Sequence, residues 1–258
     1  MKFSIIICTY NSEKFLTKNI ASIKKQSCLD FECVFIDGFS KDKTVEIIEA
    51  YKKEMGDKIK FVQTDPKGIS NAMNEGIKQA SGDYVIHLHS DDSFFDSKVL
   101  EDVSNFLIGK DLDWIYGKIS VVEENGKAIG LFPRRKLWQL GDSILGKNLL
   151  KFFNFIPHQA VFIKRDVFTR FGYFDETISS AMDPDLWLRI KNKTKWSFFD
   201  RIVSNYCVHS GAESSNLKNK EKNRKNYLLV QRRYLSWLEI VIAQIVNFLI
   251  ERGNKNLR

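Results

Sequence analysis

The sequence predicts an α/β fold: a mainly parallel, twisted sheet flanked by helices, with a small antiparallel addition and a C-terminal amphipathic helix. Three observations lead there. Short apolar runs rich in β-branched residues alternate with helix-period segments through the first half of the chain. The turn signal Glu124-Asn125-Gly126 then interrupts that alternation. Finally, residues 216–258 become basic and then amphipathic.

Taken in order, residues 3–9 read as a buried strand and 12–26 as a helix with Leu16, Ile20 and Ile23 on one face. Phe31 to Asp37 is the second strand. It leads through Gly38-Phe39-Ser40-Lys41-Asp42 into a helix over 43–55, and a third strand follows over 58–64. Ile69, Met73 and Ile77 recur at helical spacing, and Asp83 to His89 is a strand ending at Ser90-Asp91-Asp92, before a helix beginning near Asp96. Trp114 to Val122 and Lys127 to Pro133 flank the hairpin turn, residues 134–156 show little period, and His158 to Ile163 reads as a strand. Asp183-Pro184 opens a helix containing Leu186 and Ile190. Beyond the basic stretch Lys218 to Arg233, residues Leu235 to Ile250 form an amphipathic helix. Its apolar run is interrupted by Glu239, Gln244 and Asn247 and is shorter than the roughly 20 residues a spanning helix needs.

At 258 residues, with 43% hydrophobic and 28% charged residues, the chain is sized for one large domain plus an appendage, and its composition excludes disordered and fibrous classes. A net charge of +8 suits an anionic partner such as a nucleotide phosphate, a lipid phosphate, a membrane surface or a nucleic acid. No dedicated nucleic-acid motif is present, so that partner is not expected. Cys8, Cys28, Cys33 and Cys207 form no CxxC pair, and the chain enters a strand-like run directly after Lys2, so a cytoplasmic location is expected.

Ligands of open α/β sheets bind beyond the carboxyl ends of the strands. There the sequence places Thr9-Tyr10-Asn11, Asp37-Gly38 and Ser90-Asp91-Asp92. No glycine-rich turn follows the first strand and no GxxxxGK[ST] occurs, which argues against a dinucleotide fingerprint and an ordinary P-loop. Paired carboxylates at a strand end suit Mg²⁺ or Mn²⁺, with substrate phosphate oxygens completing the shell, so Asp92 and Asp91 are the candidate metal ligands. Aspartates at such positions also serve as ordinary turn and N-cap residues.

Ser4 to Asn11, Phe35 to Thr44 and Leu88 to Asp92 resemble, in order and spacing, the successive signatures of family 2 glycosyltransferases. Lys67 to Gly76 and His158 to Phe162 look like the branch that builds bacterial exopolysaccharide and O-antigen, the colanic-acid type. The resemblance spans residues 3 to about 215 and implies a GT-A (Rossmann-like) fold, a nucleotide-sugar donor, usually a UDP-sugar, and inversion at the anomeric carbon. Together with the change of rhythm after residue 112 and the basic, amphipathic end, the expected division is residues 1–110 for the donor, 111–215 for the acceptor and 216–258 as a helical extension. The resemblance further implies that Thr9 and Asp37 hold the uracil and ribose, with Tyr10, Asn11, Lys67 and Asn74 near the donor. Asp91 would face the ribose or metal, and Asp92 would ligate the cation. Ala181 to Arg189 matches the acidic motif that supplies the base, with Asp183 the first choice and Asp185 the alternative; Asp183 before Pro184 is also a good helix cap. His158 and Gln159 would touch acceptor or diphosphate, and His209 is a further candidate metal ligand. Two departures stand out: Met182 replaces a common glutamate, and His89 stands first in an Asp-x-Asp-like signature.

The expected acceptor is a glycan or a polyprenyl-diphosphate-linked saccharide, with the basic C-terminal segment beside an anionic leaflet. Two other readings compete: a non-catalytic sugar-binding scaffold, and a sugar nucleotidyltransferase, whose glycine- and arginine-rich loop is missing here.

Overall fold

The structure is a computed structural model and describes residues 1–133, 139–178, 180–209 and 220–255. The expected Gly211-Ala212-Glu213-Ser214 stretch, the start of the basic segment at Lys218 and part of the unpatterned 134–156 region lie outside the described residues.

Three strands and their helices form the first layer as the apolar rhythm dictates: β1 (Phe3–Thr9), α1 (Glu13–Lys24), β2 (Phe31–Asp37), α2 (Thr44–Met55), β3 (Ile59–Gln63) and α3 (Ile69–Gln79). Every residue of β1 and β2 is buried, because helices cover both faces. Phe3, Ile5 and Ile7 pack on one face with Leu16 and Ile20, whereas Ile6 and Cys8 pack on the other with Met73 and Ile77. Gly76 is required for that second contact, since a Cβ there would stand 2.3 Å from the Ile6 side chain.

β4 (Tyr84–His87) then pairs with the opposite edge of β1, in parallel. The chain therefore runs outward from β1 through β2 and β3 and restarts on β1's other side, which makes the carboxyl ends of β1 and β4 a topological switch point. After β5 (Ser93–Phe94) and α4 (Val99–Leu107) come β6 (Trp114–Glu123) and β7 (Ala128–Phe132), the expected hairpin. α5 (Ile144–Phe152), β8 (Val161–Lys164), α6 (Arg165–Phe171), α7 (Met182–Ile190), β9 (Trp196–Val208), α8 (Lys220–Tyr234) and α9 (Trp237–Lys255) complete the order.

The sheet reads β3-β2-β1-β4-β8-β6-β9-β5, with β7 also on β6. It is parallel from β3 to β4 and mixed beyond, so the antiparallel part exceeds the hairpin that the sequence signals. His158–Ala160 forms a 3₁₀ turn rather than the start of the expected strand, which begins at Val161. Under the mixed half, Trp114 stacks on Trp196 at 4.5 Å and on Trp187 at 5.2 Å, anchoring α7 to the sheet. α8 and α9 lie against the domain: Lys151 pairs with Glu239 at 3.0 Å, and Asn247 donates to the Phe152 carbonyl at 3.1 Å.

Candidate functional site

The loops after β1 and β2 are cross-linked. Asp37 is fully buried and accepts four hydrogen bonds: from Thr9 Oγ1 at 2.9 Å, Ser40 N at 2.9 Å, Ser40 Oγ at 2.5 Å and Gln63 Nε2 at 3.1 Å. Asn11 N donates to Ser40 Oγ, and Asn11 Oδ1 accepts from Lys41 N at 2.8 Å. Asn11 and Phe39 both take left-handed backbone conformations, with φ of 49° and 59°. Such conformations outside glycine persist where surrounding contacts over-determine them. Thr9 and Asp37, expected to hold the nucleoside directly, are turned toward each other, and the groups this edge presents outward are Tyr10 and Asn11.

Across the switch point, the segment after β4 carries the carboxylate pair. Asn19 on α1 donates to the carbonyls of His89 and Asp92, fixing the turn. Asp92 is 1% exposed. Its Oδ1 accepts from Cys207 N on β9 at 3.0 Å, while its Oδ2 is buried with no hydrogen-bond partner among the described residues. Burial, then the neighbouring Asp91 charge, pushes the Asp92 carboxyl well above the usual range. Asp91 Oδ2 lies 2.9 Å from His209 Nε2, and the His209 ring packs on Phe15 at 4.4 Å. The structure thus brings Asp91, Asp92 and His209 to one edge. An orphaned buried carboxylate oxygen beside a second carboxylate fits a divalent cation. No three His, Cys, Asp or Glu side chains among the described residues enclose an ion by themselves, so part of its shell would come from a bound ligand.

Beside this edge His158 stands between His87 and His89, with ring centroids at 5.4 and 5.3 Å. Neither ring nitrogen of His158, nor His87 Nε2, has a partner among the described residues. Burial, then mutual repulsion, holds the His87 ring down to about 3 and that of His158 well below the usual range, so both are neutral near pH 7. Gln159 contributes its carbonyl, which accepts from Ser204 Oγ at 2.9 Å. His87 was not among the residues expected from sequence. Its signal is the i, i+2 spacing with His89, which puts both rings on one side of extended backbone.

The helix carrying the two candidate bases starts after Ala181, whose φ of 66° is again left-handed. Asp183 is the second residue of α7, not its cap, and is half-buried. Its Oδ2 accepts from Asn154 Nδ2 at 3.3 Å, and burial raises its carboxyl to about 6 against the pull of these hydrogen bonds. Asp185 is different. It is buried, with Arg189 at 2.6 Å on one oxygen and Arg233 at 3.1 Å and the Tyr234 hydroxyl at 3.0 Å on the other. These donors tie it to Arg189 on its own helix and to Arg233 and Tyr234 on α8, which leaves Asp183 the less encumbered of the two candidate bases. Asn74 is buried; its amide nitrogen donates to the Phe174 carbonyl and to Glu176, and its oxygen accepts from Phe174 N. Lys67 is exposed before α3.

Residues 4–172 match the family model described as glycosyl transferase family 2. A PGL/p-HBAD biosynthesis glycosyltransferase of Mycobacterium tuberculosis is 29% identical over 204 residues, covering 79% of this chain and 70% of the relative. The crystal structure of Staphylococcus aureus TarS 1-349 in complex with UDP superposes with a TM-score of 0.66 at 25% identity, covering 81% of this chain and 61% of that one. The mannosyltransferase PcManGT of Pyrobaculum calidifontis, in complex with GDP-Man and Mn²⁺, shares the fold with a TM-score of 0.65 at 17% identity over 89% of this chain and 62% of its own. The chain therefore spans about three fifths of these two solved structures.

Proposed function

The chain belongs to glycosyltransferase family 2, and from that premise we propose that it moves one sugar from a UDP-sugar to a hydroxyl of a glycan or a polyprenyl-diphosphate-linked saccharide, with inversion, in bacterial surface polysaccharide assembly. Donor binding is assigned to residues 1–110 and acceptor binding to 111–215. The observation that carries this reading is Asp92: a buried carboxylate with one oxygen unpartnered among the described residues, beside Asp91 and His209 at the switch point.

Asp92 and Asp91 would hold the divalent cation, Mn²⁺ or Mg²⁺, with His209 adjacent. Such an ion, when bound, supplies Lewis-acid stabilisation to the departing diphosphate. Tyr10 offers an exposed ring to the nucleoside base, while the Thr9–Asp37 pair holds its loop in shape. Asp183 takes the proton from the acceptor hydroxyl as that oxygen bonds to the anomeric carbon and the bond to the nucleoside diphosphate breaks. A carboxyl raised to about 6 is matched to that task, being ionised at neutral pH yet more basic than a free aspartate. Neutral His158 and the nearby Gln159 can contact the diphosphate or acceptor without adding charge.

The reading is tested by calorimetric titration of UDP, GDP and CDP with and without Mn²⁺, on the wild type and on Asp92→Ala. Metal-dependent UDP binding lost in the variant is expected. Metal-dependent binding of GDP alone would change the donor, and no binding of any nucleotide would favour a non-catalytic scaffold.

A further inference from the structure

α9 has two apolar faces, and only one is covered. Ile240, Ala243 and Asn247 point toward the domain, with Ala243 fully buried and Asn247 bonded to the Phe152 carbonyl. The other side carries Trp237, Leu238, Ile242 and Ile245, which are 78%, 62%, 39% and 54% exposed. At 3.6 residues per turn, these four fall within an arc of about 140°, opposite the packed residues. α5, on which α9 packs, adds Ile144 and Leu145, both exposed. This exceeds the single exposed apolar side chains normal on a soluble surface.

The neighbouring α8 supplies charge. Its sequence, Lys220 to Tyr234, holds six cations and one carboxylate. Lys222, Arg224, Lys225 and Arg232 are exposed, and the one acid, Glu221, is paired with Lys225. Glu239 on α9 is likewise paired, with Lys151. No helix among the described residues is long and apolar enough to cross a membrane.

We propose that the Trp237–Leu238–Ile242–Ile245 face of α9, flanked by the cations of α8, is a docking surface for an anionic lipid bilayer, on which the protein lies without spanning it. An apolar stripe ending in an exposed tryptophan beside exposed lysine and arginine side chains is the chemistry that inserts at the headgroup boundary and is held there by anionic lipid. A second copy of the chain fits less well, because a two-fold contact through α9 brings two α8 helices of the same charge together. The inference goes beyond the transferase reading and does not depend on it: vesicle binding is read without donor, metal or acceptor.

The experiment is flotation of the full chain with vesicles of phosphatidylcholine alone and of equimolar phosphatidylcholine and phosphatidylglycerol. Three proteins are compared: wild type, a triple variant Trp237→Ser, Leu238→Ser and Ile245→Ser, and a charge variant Lys222→Glu, Lys225→Glu and Arg232→Glu. The wild type is expected to float with the anionic vesicles and to be released as salt rises. The apolar variant should partition on the order of a hundredfold more weakly. The charge variant should lose its preference for anionic over neutral vesicles. These side chains are exposed, so unchanged thermal midpoints will show that both variants fold. Wild type that ignores anionic vesicles, or an apolar variant that binds them equally, overturns the proposal. So does a wild-type dimer in sedimentation that the apolar variant dissociates, which assigns the face to a second copy instead.

Discussion

Two buried carboxylates stand at opposite ends of the same sheet, and they are treated in opposite ways. Glu32, 2% exposed near the start of β2, accepts from Ser4 Oγ at 2.6 Å, Ser81 N at 2.5 Å and Ser81 Oγ at 2.7 Å, and pairs with Lys60 at 3.1 Å and Lys2 at 3.2 Å. Burial alone would raise its carboxyl, but these partners outweigh it and bring it down to about 2. Asp92 is buried to the same degree beyond the carboxyl end of β4, with one backbone donor on one oxygen and Asp91 as its charged neighbour. The first acid ties β1, β2 and the approach to β4 together. The second costs the free protein stability, which makes sense where a ligand later supplies the missing partner. The amino end of the sheet surrounds its buried acid with donors, and the carboxyl end leaves one oxygen of its acid without a partner among the described residues.

The largest expected effect separates chemistry from binding. Asp183→Asn should lower kcat/KM by about a thousandfold, within the usual range for loss of a general base, while UDP affinity stays unchanged. Wild-type kcat/KM should rise with pH through about 6 and then level, since the base works only when ionised, and that acid limb should vanish in the variant. Next, Asp92→Asn should weaken metal-dependent UDP binding by at least about a hundredfold. In metal-free buffer the same variant should melt no lower than wild type, because burial with one oxygen unpartnered among the described residues disfavours the carboxylate's charged form. A metal-free midpoint several degrees lower would mean that Asp92 is structural, like Glu32. Glu32→Gln should do the reverse: about 3 kcal/mol of unfolding free energy lost in urea titration, with metal-dependent UDP binding intact.

The parallel half of this comparison was legible in the sequence because its signals are local. Strands buried on both faces read as continuous apolar runs, and Asp91 and Asp92 fall where such a run stops. What escaped depends on partners distant in the chain. β9 carries Asp200 and Arg201 in its middle, which blurs its alternation, yet it pairs along β6 and supplies the backbone donor to Asp92. Nothing local distinguishes Asp183 from Asp185, two residues apart in one helical turn. The difference between their surroundings comes from Arg233 and Tyr234, on a helix some fifty residues later, which bond Asp185, while Asp183 has Asn154 and its own backbone N–H as donors. Asn74 sits in a motif that resembles a donor-binding one, but Phe174 and Glu176 engage it.

The smallest effect is also the one that tests the physical cause of the contrast. Glu32 titrates near 4.5 in the unfolded chain and at about 2 in the folded one, so its stabilisation is complete above 4.5 and is lost as pH falls toward 2. Over the upper part of that window, from 4.5 to about 3.5, the penalty of Glu32→Gln should shrink by about 1 kcal/mol. Asp183 runs the other way. Its folded carboxyl holds its proton to about 6 against 3.8 in the unfolded chain, so its ionisation removes stability as pH rises between those values. Asp183→Asn should therefore gain on wild type through that interval. Parallel urea titrations of both variants across pH 3.5 to 7 read the two slopes directly, and slopes of the same sign would dissolve the contrast between an acid held by donors and one raised by burial.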